Sequence, residues 1–178
     1  HSICFGYESP LDRIVKYLKG PSATMQPNIR SMDLCRRYGM RPVGNYIIGT
    51  PIETYKEMAQ TYWIIKQNMY RHTPNIFHMN PLPGTAQWRQ CVADGYVSDD
   101  LEDWSVLNMK YEKGRSLLLN TNYSEDQFEQ IYTLFKALED DTSPEASWQL
   151  QLRSDYYRQR LTEIAGFLRQ RLSKEEQD

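Results

Sequence analysis

The segment YGMRPVGNYIIGTPIET, residues 38–54, contains the pattern that decides the fold. Residues 42–48, Pro-Val-Gly-Asn-Tyr-Ile-Ile, form a short and mainly apolar run, which predicts a buried strand of a parallel sheet. Gly49 breaks the run, and residues 52–68 have the periodicity of an amphipathic helix. The apolar face of that helix consists of Tyr55, Met58, Tyr62 and Ile65. A strand followed at once by a helix is the repeating unit of α/β proteins.

A similar unit precedes this segment in CFGYESPLDRIVKYLKG, residues 4–20. Residues 2–6 predict a buried strand, and Ser9-Pro10 predicts a helix with Ser9 as N-cap and Pro10 at its first position. Gly20 ends this helix. Its apolar face consists of Leu11, Ile14, Val15 and Leu18.

A second helix, residues 27–38, carries Ile29, Met32 and Cys35 at a spacing of three, and residues 75–79 predict a third strand. The order strand, helix, strand, helix, strand predicts a parallel sheet with right-handed crossovers. The chain opens on a strand without an initiator Met, so we expect it to be part of a longer protein.

The sequence changes character after Gln87, where no sustained period is visible. Ser124 and Gln127 then form a capping box, which predicts a helix start. The apolar face of that helix consists of Phe128, Ile131, Tyr132, Phe135 and Leu138. Ser143-Pro144 predicts the start of a last long helix, with an apolar stripe from Tyr157 to Leu172.

Composition excludes several classes of function. The 178 residues carry a net charge of −2, which argues against non-specific binding of nucleic acid. No apolar run reaches the roughly 20 residues needed to span a bilayer, and no signal peptide is recognisable. Cys4, Cys35 and Cys91 suit neither a disulfide framework nor a zinc site, so we expect a reducing cytoplasm.

Three strand ends carry Gly or Pro together with polar groups: GYES at residues 6–9, GTPIET at 49–54 and NPLPGT at 80–85. In parallel sheets, ligands bind at the carboxyl ends of the strands. Glu8 could accept two hydrogen bonds from a ribose diol, and the backbone around Gly49 could contact an adenine edge. Taken singly, each element is equally compatible with ordinary turns and helix caps.

Together and in this order, FGYES…LKG, GTPIET and NPLPGT resemble the second half of a radical S-adenosylmethionine (SAM) domain. The resemblance covers roughly residues 2–88. It implies strands four to six of a (βα) barrel, hence an α/β fold made of a partial barrel and a mostly helical C-terminal extension at 89–178. PLPGT and the later segment DGYVSDDLEDW look most like the cobalamin-binding branch of the family.

The resemblance implies a set of site residues. Glu8 and Ser9 would contact the ribose or the amino-acid portion of SAM. Glu53 would be a structural acid that holds the turn after the second strand. The adenine pocket would be lined, mostly by backbone, by Tyr46, Ile47, Ile48 and Gly49. The wall at the third strand end would consist of Met79, Asn80, Pro81 and Leu82.

One hallmark of the family is absent. A C-x3-C-x2-C motif supplies three thiolates to a [4Fe–4S] cluster, and thiolates of one cluster must lie together. The three cysteines of this chain lack that spacing, so the cluster ligands would lie before His1. The resemblance then implies that the N-terminal half of the same enzyme is the partner, and that this portion alone does not cleave SAM.

The function implied is reductive cleavage of SAM to methionine and a 5′-deoxyadenosyl radical that attacks a substrate, with cobalamin-dependent methyl transfer as one outcome. The substrate is unknown. A second hypothesis is a non-catalytic module that binds a nucleotide or a protein. A third, a phosphate-binding barrel lyase or isomerase, is disfavoured because neither GTPIET nor NPLPGT is a basic, Gly-rich phosphate loop.

The remaining histidine, cysteine and arginine residues of interest each allow a functional and a structural interpretation. His78 could face a barrel interior and touch substrate, or be a structural core histidine. Cys4 in its strand reads as a small core residue rather than a ligand. The helix arginines Arg13, Arg30, Arg36 and Arg37 are expected to be solvated, although one of them could reach a carboxylate.

Overall fold

The computed structural model describes residues 2–68 and 72–140. Three strands, β1 (Ser2–Glu8), β2 (Arg41–Ile48) and β3 (Thr73–His78), form a parallel sheet in the order β1-β2-β3. Both strand pairs are parallel. The predicted strands are confirmed, and the fold is mixed α/β. The predicted last helix, which begins at Ser143, lies outside the described residues.

Helices α1 (Asp12–Lys19) and α2 (Gln26–Arg37) connect β1 to β2, and α3 (Tyr55–Asn68) connects β2 to β3. After β3 come α4 (Ala86–Ala93), a 3-10 turn at Trp104–Leu107 and α5 (Glu125–Asp140). The described residues up to Asp140 belong to one compact unit. No helix in the described ranges is long and apolar enough to cross a bilayer.

Two predicted helix starts are wrong, and both for the same reason. Helix α1 begins at Asp12 rather than Pro10, because the Ser9 hydroxyl accepts a hydrogen bond from the Leu11 amide (3.1 Å) and forms a turn before the helix. Helix α3 begins at Tyr55 rather than residue 52, because the preceding residues form a turn of their own. In each case a polar side chain bonds the backbone locally, in competition with the helix.

The start of α3 is a capping box that sequence analysis missed. The Glu57 amide donates to Thr54 Oγ1 (3.2 Å), and the Thr54 amide donates to the Glu57 carboxylate (2.9 Å). The T-x-x-E spacing is a signal that could have located it. The capping box predicted at the start of α5 is confirmed, with Ser124 and Gln127 bonding each other's amides at 2.9 and 3.2 Å.

The main core lies on one face of the sheet, between the strands and helices α2, α3 and α5. Its fully buried members include Tyr7, Ile48, Ile76, Met58 and Phe128. Because Phe128 and its neighbours on α5 belong to the same cluster as the strand residues, the C-terminal extension completes the core of the sheet. Burial of such side chains stabilises by about 1.5–3 kcal/mol each.

The two outer strands differ in whether side chains cover their free edges. At β3, Lys110 Nζ donates to the Ile76 carbonyl (2.6 Å) and the Ile76 amide donates to Glu139 (2.5 Å), which covers the edge. Along its outer edge, β1 pairs with no strand among the described residues, and Cys4 is exposed. The prediction that Cys4 is a core residue is wrong, because Cys4 lies on the face of β1 opposite to Phe5 and Tyr7, which contact the main core.

Candidate functional site

Strand β1 ends in a strained residue. Glu8 has a φ of 60°, the one positive φ among the non-glycine residues of the described ranges. The strand register shifts between Gly6 and Glu8, and Lys19 Nζ lies 3.4 Å from Glu8 Oε1. Residues other than glycine rarely adopt this left-handed backbone conformation, and backbone strain of this kind concentrates at functional sites. The Glu8 side chain is half-buried, whereas Ser9 is buried and its hydroxyl is engaged by Leu11.

The turn after β2, residues Gly49–Glu53, is called the strand-end turn below. Glu53 Oε2 accepts hydrogen bonds from the Gly49 amide (2.9 Å) and the Thr50 amide (3.3 Å). Gly49 has a φ of 81°, and a Cβ at this position would lie 3.0 Å from the Phe128 ring, so the position requires glycine. As predicted, Glu53 holds the turn.

Glu53 is completely buried, and this has an electrostatic consequence. Burial raises the pKa of Glu53 from 4.5 to about 7, and the two amide hydrogen bonds oppose the shift. Near neutral pH the Glu53 carboxyl is therefore divided between its protonated and ionised forms. A group with this property at a strand end is characteristic of functional sites as well as of structural networks.

The C-terminal extension holds the strand-end turn from the other side. Asn120 is buried, and its side-chain amide donates hydrogen bonds to the backbone carbonyls of Thr50 (2.6 Å) and Glu53 (2.5 Å). Its own oxygen accepts from the Asn122 amide (2.7 Å). Sequence analysis missed Asn120, because its partners lie about 70 positions away along the chain and no local pattern signals them.

The third strand end supplies an apolar surface. Met79 is buried with Cys91 and Leu119 in a cluster that also contacts Ile47; we call it the second apolar cluster. The Met79 amide donates to the Ile48 carbonyl (2.9 Å), which joins the ends of β2 and β3. Asn80 donates to the Asn108 carbonyl (2.6 Å). Pro81 is buried, and Leu82 is 59% exposed.

The predicted adenine-pocket residues of β2 differ in the face of the sheet on which their side chains lie. Tyr46 and Ile48 point into the main core, and the Tyr46 hydroxyl bonds His72 Nε2 (2.8 Å). Ile47 lies on the opposite face, half-buried against the second apolar cluster. Of this strand's side chains at the predicted pocket, Ile47 is therefore the one placed to contact a ligand on that face.

Several polar atoms at these strand ends are buried and have no hydrogen-bond partner among the described residues. They are Thr50 Oγ1, Glu53 Oε1, Asn80 Oδ1 and the Tyr123 hydroxyl. The Glu53 charge raises the pKa of Tyr123, second to the effect of burial, which places the two groups in one neighbourhood. Unpaired buried polar atoms are costly, so their gathering at the strand ends fits a polar ligand or ordered water there.

An ion pair links α1 to the base of α3. Arg13 Nε and Nη2 donate to the two oxygens of Glu57 at 2.8 and 2.6 Å, and Nη2 also donates to the Ile52 carbonyl (2.9 Å). The expectation that a helix arginine could reach a carboxylate is confirmed for Arg13. The Arg13 guanidinium lowers the pKa of Glu57 from 4.5 to about 2.

We expect Arg13→Met to lower the free energy of unfolding by about 1 kcal/mol, because Arg13 is half exposed and solvent screens the pair. Glu57 has a depressed pKa, so its contribution is present above pH 4.5 and is lost as the pH falls towards 2. Urea unfolding of both proteins across this range measures the effect. A stability gap that does not narrow in acid would contradict the assignment.

His78 and the cysteines do not form a reactive or metal-binding group. His78 lies in the main core between Tyr111 and Phe128, and burial lowers its pKa to about 4, so the ring is neutral. The described ranges bring together no group of three or more His, Cys, Asp or Glu side chains that could hold a metal ion. Cys4, Cys35 and Cys91 lie on three different elements, which does not fit the ligand set of an iron–sulfur cluster.

The fold and these strand ends define an α/β protein with a candidate ligand site at the carboxyl edge of a parallel sheet. No protein-family model matches the chain. The sequence is similar to three curated proteins, all of them methyltransferases. An uncharacterized methyltransferase of Pyrococcus horikoshii is 30% identical over 97 residues, which cover 54% of this chain and 21% of the relative.

The other two relatives carry more specific names. The bacteriochlorophyllide d C-8(2)-methyltransferase of Chlorobaculum tepidum is 21% identical over 83% of this chain and 30% of its own length. The cytidylyl-2-hydroxyethylphosphonate methyltransferase of Streptomyces wedmorensis is 26% identical over 64% of this chain and 22% of its own length. The chain thus spans between 21% and 30% of the curated relatives it matches.

Proposed function

We propose that this chain is the C-terminal half of a radical SAM domain, with its extension, in a longer methyltransferase of the cobalamin-binding branch. It supplies part of the SAM pocket and the substrate side, and the [4Fe–4S] cluster is held by residues outside this chain. The three methyltransferase relatives support transfer of a methyl group. The radical and cobalamin parts of the proposal rest on the sequence motifs.

The observation that carries the proposal is the conformation of Glu8. The backbone of Glu8 is left-handed, with a φ of 60°, directly after a strand irregularity, and strain of this kind concentrates at functional sites. It stands at the same sheet edge as the strand-end turn and Asn80, which is where parallel sheets bind ligands. A ribose offers two adjacent hydroxyls, which one carboxylate can bind.

The other residues at the strand ends would contact other parts of SAM or the substrate. SAM supplies a methyl group or, after one-electron reduction, a carbon radical. Ile47, which is half-buried, offers apolar surface for a flat base, and Met79 lies buried behind it in the second apolar cluster. On the same face as Ile47, Asn45 and Asn75 are half-buried and bond each other (3.1 Å), a polar pair suited to the substrate side.

The outer edge of β1 supports a partner that adds further strands. Its pairing capacity on that side is met by no strand in the described ranges, and exposed edges are normally covered. The relatives are three to five times longer than the matched region. We propose that the N-terminal half of the same enzyme pairs there and closes the barrel.

Product analysis of the intact protein tests this function. The enzyme, purified without oxygen, is incubated with SAM and a strong reductant. The proposal predicts 5′-deoxyadenosine and methionine, and their formation should stop when the iron is removed by chelation. S-adenosylhomocysteine as the exclusive product, unaffected by chelation, would show methyl transfer of the ordinary polar kind and would contradict the radical part.

Glu8→Gln is expected to weaken SAM binding by about tenfold, because hydrogen bonds to a charged acceptor contribute about 1.5–3 kcal/mol. The variant keeps the size of the side chain and removes its charge. Calorimetric titration of the intact protein measures the dissociation constant, with iron content as a check that the cluster is assembled. Glu102→Gln, at an exposed position, is the matched control. Equal affinity of Glu8→Gln and wild type would remove Glu8 from the site.

A further inference from the structure

The strand-end turn is held in place by three groups, two of which belong to the C-terminal extension. Within the turn, the Glu53 carboxylate accepts hydrogen bonds from the backbone amides of Gly49 and Thr50. Asn120 binds two of its carbonyls, and the Phe128 ring closes the space behind Gly49. The conformation of the turn is thus determined as much by residues 120–128 as by its own sequence.

The contacts of Asn120 leave little freedom. Both N–H groups of its amide are used on the turn, and its oxygen is used on Asn122. The side chain is 4% exposed, so lost hydrogen bonds would not be replaced by bulk water. Its neighbour Leu119 is fully buried in the second apolar cluster with Met79, which ties the same segment to the end of β3.

We propose that Asn120 is a positioning residue through which the C-terminal extension sets the affinity of the strand-end turn for SAM. This inference rests on the proposed function. Asn120 acts through the backbone of Thr50 and Glu53, without contact to the ligand itself.

The test compares Asn120→Asp with wild type in the intact protein. The substitution keeps the shape and replaces two donors by a carboxylate that faces two carbonyl oxygens. We expect the dissociation constant for SAM to rise at least about tenfold, because the two hydrogen bonds from Asn120 to the turn, each of about 1 kcal/mol, are lost. Thr121→Ala is the matched control: Thr121 is the neighbour of Asn120 in the chain and is exposed, so SAM affinity should be unchanged.

A readout specific to positioning is amide hydrogen exchange without ligand. Exchange in Gly49–Glu53 should be faster in Asn120→Asp, whereas exchange in β2 should be unchanged. If Asn120→Asp does not fold, Asn120→Ser, which keeps one donor and adds no charge, takes its place with an expected rise of several-fold. Wild-type affinity and wild-type exchange in the folded variant would overturn the inference. Absence of SAM binding by wild type would instead refute the proposed function.

Discussion

Phe128→Ala is expected to lower the free energy of unfolding by about 3–5 kcal/mol, the usual cost of removing a buried aromatic ring. Phe128 is 0% exposed; its ring centroid lies 4.8 Å from that of Tyr111, which it meets edge-on, and 5.3 Å from that of His78, to which it is tilted. Its loss opens a cavity between α5 and the sheet, which the surrounding rings cannot fill without leaving their own contacts.

Urea unfolding of the intact protein, followed by circular dichroism, measures this effect. Leu134→Ala on the same helix is the matched control, because Leu134 is 45% exposed and its truncation should cost less than about 1 kcal/mol. Equal losses in the two variants would show that α5 is not packed on the sheet as described. Since Phe128 also backs Gly49, we expect the destabilised variant to bind SAM more weakly.

Gly44→Ala is expected to cost about 3 kcal/mol, although it adds a single methyl group. A Cβ at position 44 would lie 2.4 Å from Tyr7 Cδ2 and 2.9 Å from His72 Cδ2. Both rings are buried, and His72 is fixed by its hydrogen bond to Tyr46, so neither can yield cheaply. Overpacking of this kind typically costs 1–3 kcal/mol.

A double-mutant cycle distinguishes the steric cause from a general loss of strand stability. Tyr7→Leu removes the ring edge nearest to position 44, so Gly44→Ala should cost clearly less in the Tyr7→Leu background than in wild type. Thermal and urea unfolding of the four proteins give the coupling energy. The same cost in both backgrounds would contradict the packing of Tyr7 on Gly44.

The strands and the longer helices could be predicted because their signals are local. The apolar run at residues 42–48 and the 3.6-residue period of α5 each indicate one structure by themselves. Helix α4 was missed because it has only eight residues, and its N-cap Thr85, which accepts from the Trp88 amide (3.1 Å), is the last residue of the NPLPGT turn. Short helices are decided by tertiary packing, here of Trp88 and Cys91.

The candidate site could be predicted in its positions and only partly in its contacts. The strand ends at Glu8, Gly49 and Asn80 follow from the order of strands and helices. Tyr46 and Ile48 face the core while Ile47 faces the second apolar cluster. This depends on the phase of one strand, which three consecutive apolar residues do not reveal. The contacts of Asn120 depend on long-range packing, and the exposure of Cys4 depends on which face of β1 it occupies.

Hydrogen exchange of the intact protein with and without SAM tests the central claim most directly. SAM should slow amide exchange in peptides that cover residues 6–9, 48–54 and 79–82, the three strand ends, and should leave the outer surface of α5 unchanged. Binding of SAM with no protection at any of these three segments, or no binding at all by the cluster-loaded protein, would contradict the account.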